Sequence, residues 1–387
     1  MGNLQLEPRK FLAPEYIFGI DTRKMATSYC RKLGGNRVLV VTDPGVMNTR
    51  WYPELIEDLE ASKIDFIVYS NVSPNPRDYE IMEGARIYSE NKCSLILAMG
   101  GGSVLDCAKG IGIVSSNFKE IHAFEGVDMI EHPIPPLICI PTTGGTAADV
   151  SQFAIINNTS EKYKMAIISK ALVPDISLVD PLVLTTMDSY LTACVGMDAL
   201  SHAFEAFVSN ANSPFTDMYA LESIRLINAN LIESTKNPME MQYRGNMMLA
   251  SLYAGLAFSN ASLGCVHSLS HSLGGYLDLP HGESNAIMLP HVVNYNFNAS
   301  SDRYTHIANE LGIKTPGLTS SEVKNALVDY LFDMQKALNI HQDLKSWGVK
   351  SDITPTLAGK AINDPCNATN PRVPSRDDLI SLYNEAT

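Results

Sequence analysis

Residues 94–114 read SLILAMGGGSVLDCAKGIGIV, an unbroken apolar run that passes through Gly100-Gly101-Gly102-Ser103 into a helical pattern. A continuous apolar strand is what a parallel sheet covered on both faces requires. Glycines between such a strand and a helix let backbone N–H groups approach a diphosphate at the positive helix end. The spacing does not match the GxGxxG dinucleotide fingerprint, because the position three after Gly102 is Leu105. A plain tight turn explains GGGS equally well.

The same alternation extends in both directions. RVLVVTD at 37–43 reads as a buried strand, preceded by a helical pattern at 23–33 that Gly34 and Gly35 close. PELIEDLEAS at 53–62 predicts a helix, DFIVYS a strand, VSPNP a loop, and 79–90 a further helix. Short β-rich runs follow at 137–140, 153–157, 165–169 and 176–179. Strands alternating with helices of this length predict βαβ units and a Rossmann-like parallel sheet. From Asp188 onward the pattern is long and helical, with strand-like alternation nearly absent. The expected architecture is an α/β domain over residues 1–185, taken as the nucleotide-binding half, and an all-helical domain over 186–387. No internal repeat or low-complexity segment interrupts it, and Met239, Met241, Met247 and Met248 read as core filler.

Composition narrows the function. A chain of 387 residues with 45% hydrophobic and 18% charged residues can bury two sizeable cores. A net charge of -13 and a pI near 5.1 argue against a nucleic-acid partner, since nothing offsets phosphate repulsion. No apolar run reaches the roughly 18 residues of a membrane span. The opening MGNLQLEPRKF lacks an apolar signal core, and Leu6 breaks the myristoylation pattern. The seven cysteines, at 30, 93, 107, 139, 194, 265 and 366, are odd in number and form no CxxC, so reduced thiols in a cytoplasmic protein are expected. Cys194 and Cys265 lie near the histidines described next, without the spacing of a zinc–thiolate site.

Three of nine histidines fall in GCVHSLSHSLGGYLDLPHG, residues 264–282. His267 and His271 stand four apart and would leave one helical face together; His281 follows a Gly-Gly break and a Leu-Pro pair, on what reads as a return loop. GMDALSHAFEAF at 196–207 places Asp198 and His202 four apart in the same way. Each histidine alone reads as an ordinary core or surface residue. Two such pairs with a third histidine nearby point to a divalent metal, with more ligands on offer than one cation needs. In the α/β half, Asp43 ends a strand before Pro44-Gly45. A carboxylate there can hold a ribose 2′-hydroxyl and repel a 2′-phosphate, which predicts NAD over NADP; an Asx turn is the plain alternative. IPTTGGTAAD at 140–149 ends a third strand, with Thr142 and Thr143 foremost. Three strand-end loops of this kind would line the crevice of an open α/β sheet.

The set TDPG, GGGSVLDCAKG, PTTGGTA, GMDALSHAFEAF and GCVHSLSHSLGG…PHG resembles the iron-containing, group III alcohol dehydrogenase family, whose fold is shared with dehydroquinate-synthase-like proteins. The likeness runs from YIFG at 16–19 to NPR at 370–372, and is nearest to the branches acting on lactaldehyde and propanediol, on 1,3-propanediol and on methanol. It implies Asp198, His202, His267 and His281 as metal ligands, for Fe2+ or in some members Zn2+. It implies His271 beside the nicotinamide and the substrate. Asp43, Asn75, Gly101, Gly102, Ser103, Thr142, Thr143 and Lys164 match cofactor-contacting positions. Phe153, Phe258 and Cys366 match positions facing the substrate, which implies a narrow, largely apolar pocket for short alcohols or diols. A homodimer or larger homo-oligomer is implied as well. The chain departs from the family at residues 145–149, GTAAD, where GTGSE or GTAxE is usual, and a shorter carboxylate bears on that loop's geometry.

The residue chemistry agrees with this implication. One carboxylate and three imidazoles suit a cation that lowers an alcohol's pKa and polarises a carbonyl. NAD(H) carries the hydride, and His271 is placed to accept or relay the proton. A metal- and NAD-dependent lyase of the wider superfamily is the rival enzyme, but no Lys/Arg cluster for a phosphorylated substrate lies beside the histidines. A nucleotide-binding protein with a degenerate site would be expected to lack one of the ligands.

Overall fold

The three longest apolar runs become neighbours in one parallel sheet. A computed structural model describes residues 8–387; residues 1–7, which carry Leu6 and most of the segment read for targeting signals, lie outside the described residues. The first half runs β1 (Glu15–Phe18), α1 (Ala26–Lys32), β2 (Arg37–Val41), α2 (Pro44–Met47), α3 (Trp51–Ala61), β3 (Asp65–Tyr69), α4 (Asp78–Glu90), β4 (Leu95–Gly100) and α5 (Gly102–Asn117). It continues through β5 (Gly126–Val127), β6 (Leu137–Pro141), β7 (Phe153–Asn158), β8 (Tyr163–Ile168) and β9 (Ile176–Val179).

Six strands join in the order β1-β9-β6-β4-β2-β3, every pair parallel. Every residue of β4, β6 and β9 is buried, which explains their unbroken apolar composition. From β2 the chain moves outward to β3, then returns to β4 and proceeds the other way. The reversal puts a crevice beyond the carboxyl ends of β2 and β4, where Asp43 and Gly101 stand.

Two features of this half differ from the sequence reading. The runs at 153–157 and 165–169 leave the main sheet and pair with each other antiparallel, in a separate sheet ordered β5-β8-β7. A four-residue link between them cannot span a parallel crossover, so a hairpin is the only pairing open to it. The edge strand β1 escaped the pattern because it is short and mostly exposed.

The second half is helical: α6 (Ser189–Val208), α7 (Pro214–Lys236), α8 (Met241–Ala261), α9 (Cys265–Leu277), α10 (His281–Asn296), α11 (Ser301–Glu310), α12 (Ser320–Ala337), α13 (Thr354–Ala361) and α14 (Arg376–Glu385). Start signals are strong: Ser213 caps α7 with Pro214 in its first turn, and Thr319 with Glu322 closes a capping box on α12. From Thr192 to its end α6 is buried at every residue, packed between α7, α8 and α10. A helix apolar on all sides belongs in a core. The exceptions on α6, Asp198, His202 and Glu205, are polar groups that must find partners there. No single helix among the described residues is long and apolar enough to cross a membrane. We propose the domain boundary near residue 185, in the turn Pro181–Thr186 between β9 and α6.

Candidate metal and cofactor site

Asp198 and His202 stand one turn apart on α6 and face α9 and α10. The Asp198 Oδ1 atom lies 3.7 Å from His202 Nε2, 3.7 Å from His267 Nε2 and 3.8 Å from His281 Nε2. The edge of a tetrahedral site with bonds of about 2.1 Å is roughly 3.4 Å; the donor atoms of Asp198, His267 and His281 all lie within 4.8 Å of one another, and His202 Nε2 adjoins this group through Asp198. His281 is not on a loop, as its position after Leu-Pro suggested. The break is confined to 278–280, where Asp278 ends α9 in the left-handed conformation (φ 58), and His281 is the first residue of α10. That short connection brings His281 back against His267, with ring centroids 5.4 Å apart.

The electrostatics suit a ligand set. Burial would raise the Asp198 pKa, but the surrounding histidines outweigh it and hold the carboxyl well below its usual range. Burial pulls His202 down to about 4 and His281 well below its ordinary value, so both rings are neutral with a lone pair to give. Burial lowers His267 too, yet Glu205 and Asp198 prevail and raise it to about 9, so a cation bound at its Nε2 would have to displace a proton.

Three polar residues that the sequence reading passed over complete the site. Glu205 Oε2 lies 2.5 Å from His267 Nδ1, while its Oε1 accepts from the Val266 amide at 2.6 Å. That contact fixes the ring's orientation and directs Nε2 inward. Asn285 Nδ2 donates to Asp198 Oδ1 at 2.6 Å and lies 3.1 and 3.2 Å from the Nε2 atoms of His267 and His281. Asp364 Oδ2 accepts from His271 Nδ1 at 2.7 Å. Glu205 and Asn285 had a signal, since they extend the helical faces of His202 and His281. Asp364 had none, because it lies 93 positions from His271. Glu205→Gln keeps the size of the group and removes its charge; we expect metal affinity to fall about 10–100-fold. Competition with a chelator of known affinity measures it, and an unchanged affinity would remove Glu205 from this role.

Metal and nucleotide candidates share one cleft of about 930 Å³ between the two halves, near the upper end of the roughly 300–1,000 Å³ of ligand pockets. Asp43, Asn75, Gly101, Gly102, Ser103, Thr142, Thr143 and Lys164 line it from the α/β half; Asp198, His202, His267, His271 and His281 line it from the helical half. A Cβ on Gly102 would stand 2.8 Å from the Thr146 side chain, so this turn takes only glycine while the backbone stays close to the cleft. The Asp43 Oδ1 atom caps α2 through the Val46 amide at 2.9 Å, the turn role the sequence offered, and the residue also lines the cleft. Burial lowers Lys164 to about 8 against the pull of Asp106 and Asp198. Asp149, the shortened carboxylate of the third loop, is buried and accepts from Ser177 Oγ at 2.6 Å.

Phe153 and Phe258 line the same cleft and meet edge to face at 5.6 Å, and Phe258 stacks on His202 at 4.3 Å. Cys366 does not face the substrate space. It is fully buried in the turn Pro365–Thr369, where its amide donates to Asp364 Oδ1, so it lies behind His271 and outside the cleft lining.

Residues 13–181 match the family described as iron-containing alcohol dehydrogenase, and residues 192–387 match the Fe-containing alcohol dehydrogenase family, C-terminal. The chain belongs to the iron-containing alcohol dehydrogenase family. It is 35% identical over 379 residues to the 1,3-propanediol dehydrogenase of Citrobacter freundii, across 97% of this chain and 98% of that one. Against the NAD-dependent methanol dehydrogenase of Bacillus methanolicus it is 33% identical over 376 residues, across 97% and 99%. A solved 1,3-propanediol oxidoreductase superposes with a TM-score of 0.94 at 34% identity, covering 98% of this chain and 100% of that one. The α/β half followed by a helical half is the architecture of this alcohol dehydrogenase family, and the cleft lies where the two halves meet.

Proposed function

We propose that Asp198, His202, His267 and His281 hold a divalent iron in this alcohol dehydrogenase, and that NAD(H) lies along Asp43, Asn75, the Gly101–Ser103 turn, Thr142, Thr143 and Lys164. The observation that carries the reading is the approach of three imidazole Nε2 atoms to within 3.7–3.8 Å of Asp198 Oδ1, in the cleft that the glycine turn also lines. The reaction is the interconversion of a short-chain primary alcohol or diol and its aldehyde. When bound, the cation acidifies the alcohol or polarises the aldehyde, and the nicotinamide exchanges hydride with the carbinol carbon.

The chain's own residues do the rest. Glu205 holds the His267 ring, and Asn285 holds the Asp198 carboxylate. Asp364 keeps the proton of His271 on Nδ1, which leaves Nε2 to accept a proton in alcohol oxidation and return it in aldehyde reduction. Burial lowers the His271 pKa against the opposing pull of Asp364, so the ring is neutral and ready to accept. Phe153 and Phe258 give the substrate an apolar wall beside His202 and exclude water from it. Lys164 is the one Lys or Arg among the described residues that line the cleft, which disfavours a lyase built to hold a phosphorylated substrate.

A panel of short aldehydes with NADH and iron-loaded protein tests the assignment. NADH oxidation with at least one of them, abolished by chelation, is expected; turnover that survives chelation would overturn it. The same panel run with NADPH is expected to be weaker, since the Asp43 carboxylate repels a 2′-phosphate. Seven free, buried thiols suit a reducing compartment, and we place the protein in the cytoplasm. Exposed Tyr16, Phe18 and Ile20 at and just beyond the edge strand β1 support a homodimer or larger homo-oligomer, which a mass measurement in solution decides.

A further inference from the structure

The strand β7 forms one wall of the cleft through Phe153 and Ile155, with Ser151 just before it. It is also the free edge of its small sheet, in the order β5-β8-β7. A strand edge leaves a row of backbone donors and acceptors that need partners. Here no further strand supplies them; the helix α5 does, through two side chains one turn apart.

Lys109, buried completely, donates to the Phe153 carbonyl at 2.7 Å, the Ser151 carbonyl at 2.9 Å and Ser151 Oγ at 3.2 Å. An ammonium has three donors, and all three are used. Asp106, three residues earlier, accepts from the Ile155 amide through Oδ2 at 3.2 Å. The next outward amide, that of Asn157, donates to the Pro76 carbonyl at 2.8 Å. Thus the cation meets a carbonyl, the anion meets an amide, and the register of β7 is set from α5.

The first residues of α5 belong to the glycine turn that lines the nucleotide end of the cleft. One helix therefore carries the cofactor cradle at its start and the strand clip one and two turns later. The ring of Phe153, whose carbonyl Lys109 holds, packs on Phe258, and Phe258 on His202. We propose that Lys109, with Asp106, is a positioning residue for the alcohol or aldehyde: it sets the wall formed by Ser151, Phe153 and Ile155 relative to the cofactor turn. The inference rests on the alcohol dehydrogenase reading above, and extends it to Lys109, which lies outside the cleft lining, acting with Asp106, which lines the cleft.

Lys109→Met in the iron-loaded enzyme keeps the length of the side chain and leaves two buried carbonyls unpartnered. We expect the aldehyde KM to rise about tenfold, as displacement of a substrate wall by a fraction of an ångström implies. The NADH dissociation constant should stay within about twofold, because the glycine turn itself is untouched. Amide exchange at residues 151–155 should accelerate in the same variant. A purely structural lysine would lower the folded fraction, and so the maximal rate per milligram, without moving KM. Lys109→Gln keeps a donor and is expected to fall between wild type and Lys109→Met; it serves if the methionine variant does not fold. An unchanged KM in the folded variant, or NADH affinity falling in step with KM, overturns the proposal. Failure of the underlying reading would look different, as the wild type itself would not oxidise NADH with any aldehyde.

Discussion

His267→Ala is expected to lose bound metal and activity together, with kcat/KM falling on the order of 10³-fold or more, the several kcal/mol that a Lewis acid contributes. The ring sits at the middle of the site. Its Nε2 is 3.7 Å from Asp198 Oδ1, its Nδ1 is 2.5 Å from Glu205, and it contacts His202 at 4.5 Å and His281 at 5.4 Å between centroids. Removing it would take away one proposed ligand and leave the buried Glu205 with Oε2 unpartnered and only Oε1 held, by the Val266 amide. The measurement is metal content by mass spectrometry beside NADH oxidation, with circular dichroism to show that the helices persist. A folded variant with full metal-dependent turnover would rule out the ligand assignment.

His271→Ala should behave differently although it lies one turn along the same helix. The metal is retained and turnover falls about 10²–10⁴-fold, the range that a positioned acid or base contributes. The separation of roles rests on partners: His267 turns its outer nitrogen to Glu205 and its inner one toward Asp198, whereas His271 turns Nδ1 to Asp364, away from the ligand cluster. Loss of bound metal in His271→Ala would mean that the two roles are exchanged.

Much of this was legible in the sequence for definite physical reasons. Continuous apolar runs at 37–41 and 95–100 could only be strands covered on both faces, and their glycine and aspartate ends marked the crevice. The i,i+4 pairs Asp198/His202 and His267/His271 declared helical faces. Three things were hidden. The hairpin β7–β8 has the composition of a buried parallel strand, and only its short link betrays the antiparallel pairing. His281 looked like a loop residue because Leu-Pro normally ends structure, but proline also precedes helices, and α10 begins right after it. Asp364 and Cys366 are set by the packing of a turn onto α9, a contact between distant segments with no local signature; hence Cys366, expected at the substrate, lies in that turn with its amide on the Asp364 carboxylate that holds His271.

The three helices that carry the proposed metal ligands have a consequence for the durability of the fold. Asp198 and His202 come from α6, His267 from α9 and His281 from α10, so a bound cation cross-links segments up to 83 positions apart as a removable staple. An unfolded chain does not hold these donors together, so the ion favours the native state, and at a hundredfold excess over its dissociation constant it stabilises that state by at most about 2.7 kcal/mol. The melting temperature of the protein should therefore climb with free Fe2+ and drop on chelation, even with neither nucleotide nor alcohol present. Calorimetry across a metal titration reads this directly, and a melting point indifferent to the ion would mean the helices close without it.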